Sequence, residues 1–310
     1  MDVYGRSRAR SQRASGLKSQ FVFDQLNPIV IFTYYVIAIA FSMTFIHPYF
    51  LIAELGVIIA VNFSAHQQKK TWGTLQGALF MMVFIIVLNP IINNHGAHII
   101  WTVGGTVITA EAVVYGLLMA ISLAVLMLIF VSYNHSMTNH KFLYLFVRIS
   151  PQLTLLTMIT MRFVPLFIRR FTNIKNVQKT RGIQMETGTM RQRARAGMQL
   201  MEVLLTNSLV EALQTADSMT ARGFGAQKRK SYQRYRFTPR DGWLLGGLIS
   251  LALFCFWQAS HGVGRLAIYP ALGSVQLTGP AWLCFLIVVL VDSLPLLLEG
   301  WEYLWWSLRK

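Results

Sequence analysis

The sequence predicts an all-α integral membrane protein with about six transmembrane helices and a central cytoplasmic helical domain. Three observations carry that reading. Of the 310 residues, 54% are hydrophobic and 13% charged, with a mean hydropathy of +0.47, whereas a water-soluble domain carries about 25% charge. The apolar residues gather into runs of about 20, the length a helix needs to cross the hydrocarbon core of a bilayer. The basic residues gather elsewhere: 18 of the 28 Lys and Arg fall within 133–240, alongside only four acids, Glu186, Glu202, Glu211 and Asp217.

The domain plan follows chain order. Residues 1–27 form a basic cytoplasmic tail. Its "MDVYGRSRARSQRASGLKSQ" is too long and too basic for the first region of a signal peptide, and no small-residue cleavage site follows. Residues 28–132 hold four spans, 28–46, 48–64, 74–92 and 110–132. Residues 133–240 form the cytoplasmic domain, and 241–310 hold the last spans, 241–259 and 281–299. The first two spans meet at His47–Tyr49, which leaves room only for a tight external turn. Short loops rich in Lys and Arg stay on the cytoplasmic side. The tail and "HQQKK" (66–70) are therefore inside, and loop 93–109, with no Lys or Arg, is outside. Six spans then leave every basic residue but Arg265 inside, with both termini cytoplasmic. "GTLQG" (73–77) and "GWLLG" (242–246) permit close helix packing, and "WEYLWWSLRK" reads as an interfacial aromatic belt with a basic stop.

The stretch 196–216, "AGMQLMEVLLTNSLVEALQTA", is hydrophobic enough to resemble a seventh span, but it holds Glu202 and Glu211, and ionised carboxylates deep in a bilayer are costly. Counting it would also move "KRKSYQRYR" (228–236) outside. It therefore predicts a cytoplasmic helix. Its apolar residues form two stripes, one through 200, 203, 204, 210 and 213 and another through 201, 205, 209, 212, 216 and 219. A helix apolar nearly all round needs cover on more than one side, so this one calls for a partner protein or the membrane surface. Upstream, the helical pattern continues past the fourth span through 140–171, where Pro151 and Pro165 should bend or break it. A loop rich in Gly, Thr and Arg is expected at 187–197.

Two Arg-Gly pairs stand out in this basic region, "KTRGIQ" at Lys179–Gln184 and "MTARGFG" at Met219–Gly225. Each reads as a helix C-terminus, with glycine supplying the left-handed residue that ends the helix and arginine meeting the negative end of the macrodipole. An arginine projecting from a helix tip can also make forked, charge-assisted hydrogen bonds to a partner's carboxylates or carbonyls. Two such tips suit two copies of a partner.

The run "MRFVPLF…KNVQKTRG…LVEALQTADSMTARGFG…RDGWLL" resembles the transmembrane coupling (T) component of energy-coupling-factor transporters, the vitamin and metal importers driven by a pair of ABC-type ATPases. The likeness spans most of 26–260 and is most specific in 158–241. It implies that 133–240 is a coupling domain whose two helices each end in an Ala-Arg-Gly-like motif. Carried over by position, the ATPase-docking residues are Arg181 and Gly182 in the first motif and Ala221, Arg222 and Gly223 in the second. Thr180 stands where the family often has Ala, and "LNPIVIF" has Asn27 where the family often has an acid. The resemblance further implies two ATPase subunits and a substrate-binding membrane subunit as partners, in the bacterial cell membrane. It places ATP and magnesium in the ATPases and no cofactor in this chain.

Other chemistry is thinner. No pattern G-x-x-x-x-G-K-[ST] occurs, so the chain has no P-loop with which to hydrolyse ATP. Glu54, Glu111 and Asp292 fall within or at the ends of spans, and an intramembrane carboxylate is a functional candidate by default. Glu54 and Asp292 would be the working groups if the chain were itself a secondary transporter or channel. His95 and His98 are two possible ligands, too few for a metal site. "KRKSYQRYRFTPR" (228–240) mixes basic and aromatic residues as nucleic-acid binders do, but beside a span anionic lipid explains it without nucleic acid. Cys255 and Cys284 read as small buried hydrophobes.

Overall fold

The computed structural model describes residues 22–92, 98–103, 106–147, 150–180, 189–224, 237–264, 266, 276–277 and 279–308. A single 3₁₀ turn at Val22–Gln25 leads into α1 (Pro28–Thr44), α2 (Pro48–Ser64) and α3 (Gln68–Ile92). The strands β1 (Ile99–Val103) and β2 (Thr106–Thr109) precede α4 (Ala110–Ser136) and α5 (Asn139–Val147). Then come α6 (Pro151–Thr180), α7 (Met190–Ala221), α8 (Pro239–Ser260), α9 (Gly279–Asp292) and α10 (Leu294–Leu308). The architecture is all-α apart from the β1–β2 hairpin, which lies in the predicted external loop and pairs antiparallel from Ile99↔Thr109 to Val103↔Thr106. The chain divides into two compact units, Met1–Lys141 with Tyr235–Lys310, and Phe142–Arg234.

The first unit is built around α1, whose start is written in "NP". Asn27 caps the helix by accepting the Ile29 N–H at 3.1 Å, and Pro28 at the first position needs no hydrogen-bond partner for its nitrogen. Buried residues occur around much of α1, and Phe23, Tyr34 and Tyr35 meet edge to face at centroid separations of 5.0–6.1 Å. Buried polar groups tie the helices where lipid-soluble packing alone would leave them free to slide. Tyr35 Oη hydrogen-bonds with Ser132 of α4 at 2.8 Å, Asn62 of α2 donates to the Leu128 carbonyl at 3.1 Å, and Tyr34 donates to the Asp292 carbonyl at 2.8 Å. Such bonds are worth about 0.6 kcal/mol apiece inside a membrane protein. Outside the spans, Lys141 donates to the carbonyls of Asp24 and Ser136. Burial lowers its ammonium from the ordinary lysine value, and the Asp24 charge works the other way.

The helix lengths bear on the six-span expectation. Among the described residues, four helices are long and apolar enough to cross a membrane: α3, α4, α6 and α8. α1 and α2 are 17 residues each, about 25 Å at 1.5 Å per residue, slightly short of a bilayer core. The last predicted span is two helices rather than one. α9 and α10 bend by 56° at a break between them and count as a fifth span only if taken together. The cause is Pro295 in the first turn of α10, which has no N–H to continue the ladder back to Val291. The pattern predicted through 140–171 is likewise interrupted, with α5 and α6 as separate helices. Pro151 sits at the first position of α6, where it is tolerated, and Pro165 lies inside α6 without ending it.

Candidate functional site at the helix ends of the central unit

The second unit presents α6 and α7 as an antiparallel pair. Arg170 of α6 meets Glu211 of α7 through both guanidinium nitrogens, one of them at 2.8 Å, and side chains from Ile159 to Arg169 face those from Glu211 to Arg222 across one cleft. Because the pairing is antiparallel, the end of α6 at Thr180 and the end of α7 at Ala221 point to opposite ends of the pair. With 1.5 Å of rise per residue, they can lie as much as about 30 Å apart. α7 starts earlier than expected, since the predicted loop 187–197 is helical from Met190. Its signal is a capping box, with the Thr189 N–H donating to Gln192 Oε1 at 3.0 Å.

Arg222 is the C-cap of α7. The Gly223 N–H donates to the Thr220 carbonyl at 2.9 Å and the Phe224 N–H reaches back to Met219 at 3.0 Å, the two bonds of a Schellman ending. Gly223 has φ +74°, the left-handed conformation that only glycine adopts at little cost. "MTARGFG" therefore does form the cap that its sequence announces, and Ala221 is the last helical residue. Arg222 leaves the tip exposed and makes no ion pair among the described residues. Arg181 and Gly182, the first predicted motif, lie outside the described residues, which follow α6 as far as Thr180.

The cleft between the two helices holds about 830 Å³ and carries Arg162, Arg169 and Arg222 with Glu211 at its wall. Sequence reasoning used Glu211 only to argue against a span, and missed its pairing with Arg170 because the two are distant in sequence. On the open side of α7, Met201, Leu205, Leu209, Val210 and Leu213 are 45–64% exposed, while Ala196 and Leu200 are buried. Of the first predicted stripe only Leu200 is buried while Val210 and Leu213 are exposed, and Met201, Leu205 and Leu209 of the second are exposed too, so neither apolar side is covered along its length among the described residues.

The remaining candidates lie in the first unit. Glu54 on α2 and Asp292 at the end of α9 are both buried. Glu111 is buried at the start of α4 and accepts from the backbone N–H of His98 at 3.2 Å, with the His98 ring at 2.9 Å, fastening the hairpin to the helix. His95 lies outside the described residues. Among those described, no group of three or more His, Cys, Asp or Glu is placed to hold a metal ion. Cys255 and Cys284 are buried free thiols. Most of "KRKSYQRYRFTPR" lies outside the described residues.

The long apolar helices, with a basic two-helix unit inserted among them, define a multi-pass membrane protein of the transporter class. Residues 18–232 match the CbiQ family, described as cobalt transport protein, and the chain belongs to that family. It is 26% identical over 208 residues to the energy-coupling factor transporter transmembrane protein EcfT of Streptococcus thermophilus, covering 62% of this chain and 78% of that protein. It is 25% identical over 215 residues to the EcfT of Leuconostoc gelidum, covering 64% and 78%. A shorter match to the EcfT of Lacticaseibacillus paracasei is 34% identical over 101 residues, covering 32% of this chain and 38% of that protein. The chain is a transmembrane component of the energy-coupling-factor transport type.

Proposed function

We propose that this chain couples two ABC-type ATPase subunits to a substrate-binding membrane subunit, for uptake of a vitamin or metal micronutrient across the bacterial cell membrane. ATP and magnesium belong to the ATPases, and this chain uses no cofactor, binds no nucleic acid and catalyses no reaction. The observation that carries the reading is the exposed tip of α7, where Arg222 projects from a Schellman ending with no ion pair among the described residues. The antiparallel pairing supports two separated docking points, because a second tip at Arg181 would leave the opposite end of the pair. Closure of the ATPases would move the two tips together, and the uncovered apolar face of α7 (Leu205, Leu209, Leu213) suits a membrane subunit riding on it. Anionic lipid would hold the basic segment before α8 at the cytoplasmic surface.

The test is the double change Arg181→Glu and Arg222→Glu in the full chain, co-purified with its ATPases from membranes. Charge reversal replaces an attractive contact by a repulsive one at each tip, and removing one partner of a desolvated charge pair costs about 2–5 kcal/mol. The ATPases should therefore be lost while the chain remains in the membrane. Full assembly and full uptake in that variant would overturn the proposal.

A further inference from the structure

We infer that Glu54 and Asp292 form a proton-binding site inside the membrane unit, in which the two carboxyl groups hold at least one proton at neutral pH. This goes beyond the coupling role and does not rest on it.

The two acids come from helices that pack together, α2 and α9, and each is 96% buried, with only 4% of its surface exposed. Both Asp292 oxygens and Glu54 Oε1 are buried without a hydrogen-bond partner among the described residues. Asp292 is also the charged group whose field Glu54 senses. Leaving two carboxylates ionised and unpaired in such surroundings would cost several kcal/mol for each.

Among the described residues, the helices packed around them offer no cation paired with either acid. α1, α2, α4, α9 and α10 contain no Lys or Arg. Of the other neighbours, α3 carries Lys69 and Lys70, and α8 carries Arg240, all in their first turns. None of the ion pairs among the described residues involves either acid. The titratable groups facing the pair are few. Tyr34 of α1 interacts with both acids and donates its hydroxyl to the Asp292 carbonyl. From α4, Tyr115 packs against the cluster of Leu51 and Leu118, of which Leu51 lies one turn before Glu54. From α8, Cys255 faces Cys284 of α9, and from α10, Glu299 binds Ser64 at the far end of α2.

A second observation points the same way. Asp292 is the last residue of α9, where the helix is broken from α10 by a 56° bend. The C-terminal end of a half-helix is the negative end of its dipole, which disfavours a carboxylate there, and such ends inside membrane proteins receive Na⁺ or protons. The choice between those two follows from the donor count. Two carboxyl groups beside a carbonyl already occupied by Tyr34 are too few oxygens for a metal ion, and no larger cluster of ligands exists among the described residues. A proton needs only one oxygen to carry it, and it removes the charge that burial makes costly.

The experiment uses the full chain reconstituted in lipid. Dicyclohexylcarbodiimide, an apolar reagent that activates carboxylic acids but not carboxylates, is applied at neutral pH and the adducts are located by peptide mass spectrometry. The infrared spectrum of the wild type is compared with that of Glu54→Gln/Asp292→Asn. The site predicts an adduct on Glu54 or Asp292 and a protonated-carboxyl C=O band that the double variant lacks, both lost at alkaline pH. Repeating the titration with and without Na⁺ distinguishes proton from metal ion, since a proton site keeps its band in Na⁺. Absence of both adduct and band at neutral pH, or loss of the band on adding Na⁺, would overturn the inference. The infrared measurement on the wild type stands even if the double variant does not fold. Loss of ATPase docking, by contrast, would leave this site untouched.

Discussion

Gly264 and Gly223 share a left-handed backbone, at φ +80° and +74°, yet their surroundings make them respond differently to the same methyl group. A Cβ on Gly264 would lie 2.5 Å from Phe45 Cδ1, while one on Gly223 would meet nothing within 4 Å. Alanine at Gly223 therefore carries only the backbone penalty, about 1–2 kcal/mol, confined to a helix tip. Alanine at Gly264 adds an overpacking penalty of about 1–3 kcal/mol against a ring that is fully buried and stacked on Phe50 at 5.0 Å. Thermal unfolding in detergent should show Gly264→Ala melting clearly below wild type and Gly223→Ala close to it. Equal melting temperatures for the two would refute the contact with Phe45. Residue identity made some of this legible. Gly223 ends a helix as "ARG-F" suggests, and Asn27 caps α1 in place of the acid common in the family, because an amide oxygen accepts an N–H as a carboxylate does. The Gly264–Phe45 approach was not legible, since nothing local to either residue marks the other.

Between elements, the Arg170–Glu211 bridge is the one ion pair between α6 and α7 among the described residues, and its value is bounded by its surroundings. The two side chains are 32% and 27% exposed, so solvent screens them and the coupling energy belongs near the top of the surface range, about 1 kcal/mol, with two-point geometry in its favour. A double-mutant cycle of Arg170→Ala and Glu211→Ala, read by denaturant unfolding of the lipid-embedded chain, should return that coupling. The exchange Arg170→Glu/Glu211→Arg should recover most of what either single reversal loses. Additive single changes, with no rescue by the exchange, would show that the helices are held by apolar contacts alone. The existence of α7 and its two-sided apolar character were readable from periodicity. Its true start was also written, in the Thr189…Gln192 capping box, but was hidden by the Gly, Thr and Arg composition of the surrounding segment. The split of 281–299 into α9 and α10 was signalled by Pro295, and hydropathy alone ran straight across it. The pairing of α6 with α7 lay beyond the sequence, because antiparallel register depends on which faces find each other.

For the whole molecule, the decisive question is whether α6 crosses the membrane, because its length and composition permit it. Two arguments predict a cytoplasmic position for it. Its apolar stretch is interrupted at Arg162 and then carries Arg169, Arg170, Lys175 and Lys179, and an arginine or lysine at the centre of a span costs about 2.5–3.5 kcal/mol. A crossing at α6 would also set Arg191, Arg193 and Arg195 of α7 outside, against the bias that keeps basic segments in the cytoplasm. That position predicts that the segment around the β1–β2 hairpin faces out and that the helix tips lie in the compartment of the proposed ATPases. Single cysteines at His95, Thr138, Arg193 and Ser307, each in a chain carrying Cys255→Ser and Cys284→Ser, settle the arrangement when a membrane-impermeant maleimide is added to intact cells. Only His95→Cys should react before permeabilisation, and all four afterwards. Reaction of Thr138→Cys and Arg193→Cys from opposite faces would show that α6 spans, and would separate the α7 tip from any cytoplasmic ATPase. Reaction of Thr138→Cys, Arg193→Cys and Ser307→Cys from outside, with His95→Cys protected, would invert the whole chain. Either result would leave Arg222 without access to the partner proposed for it, so the topology is the condition on which the coupling role stands.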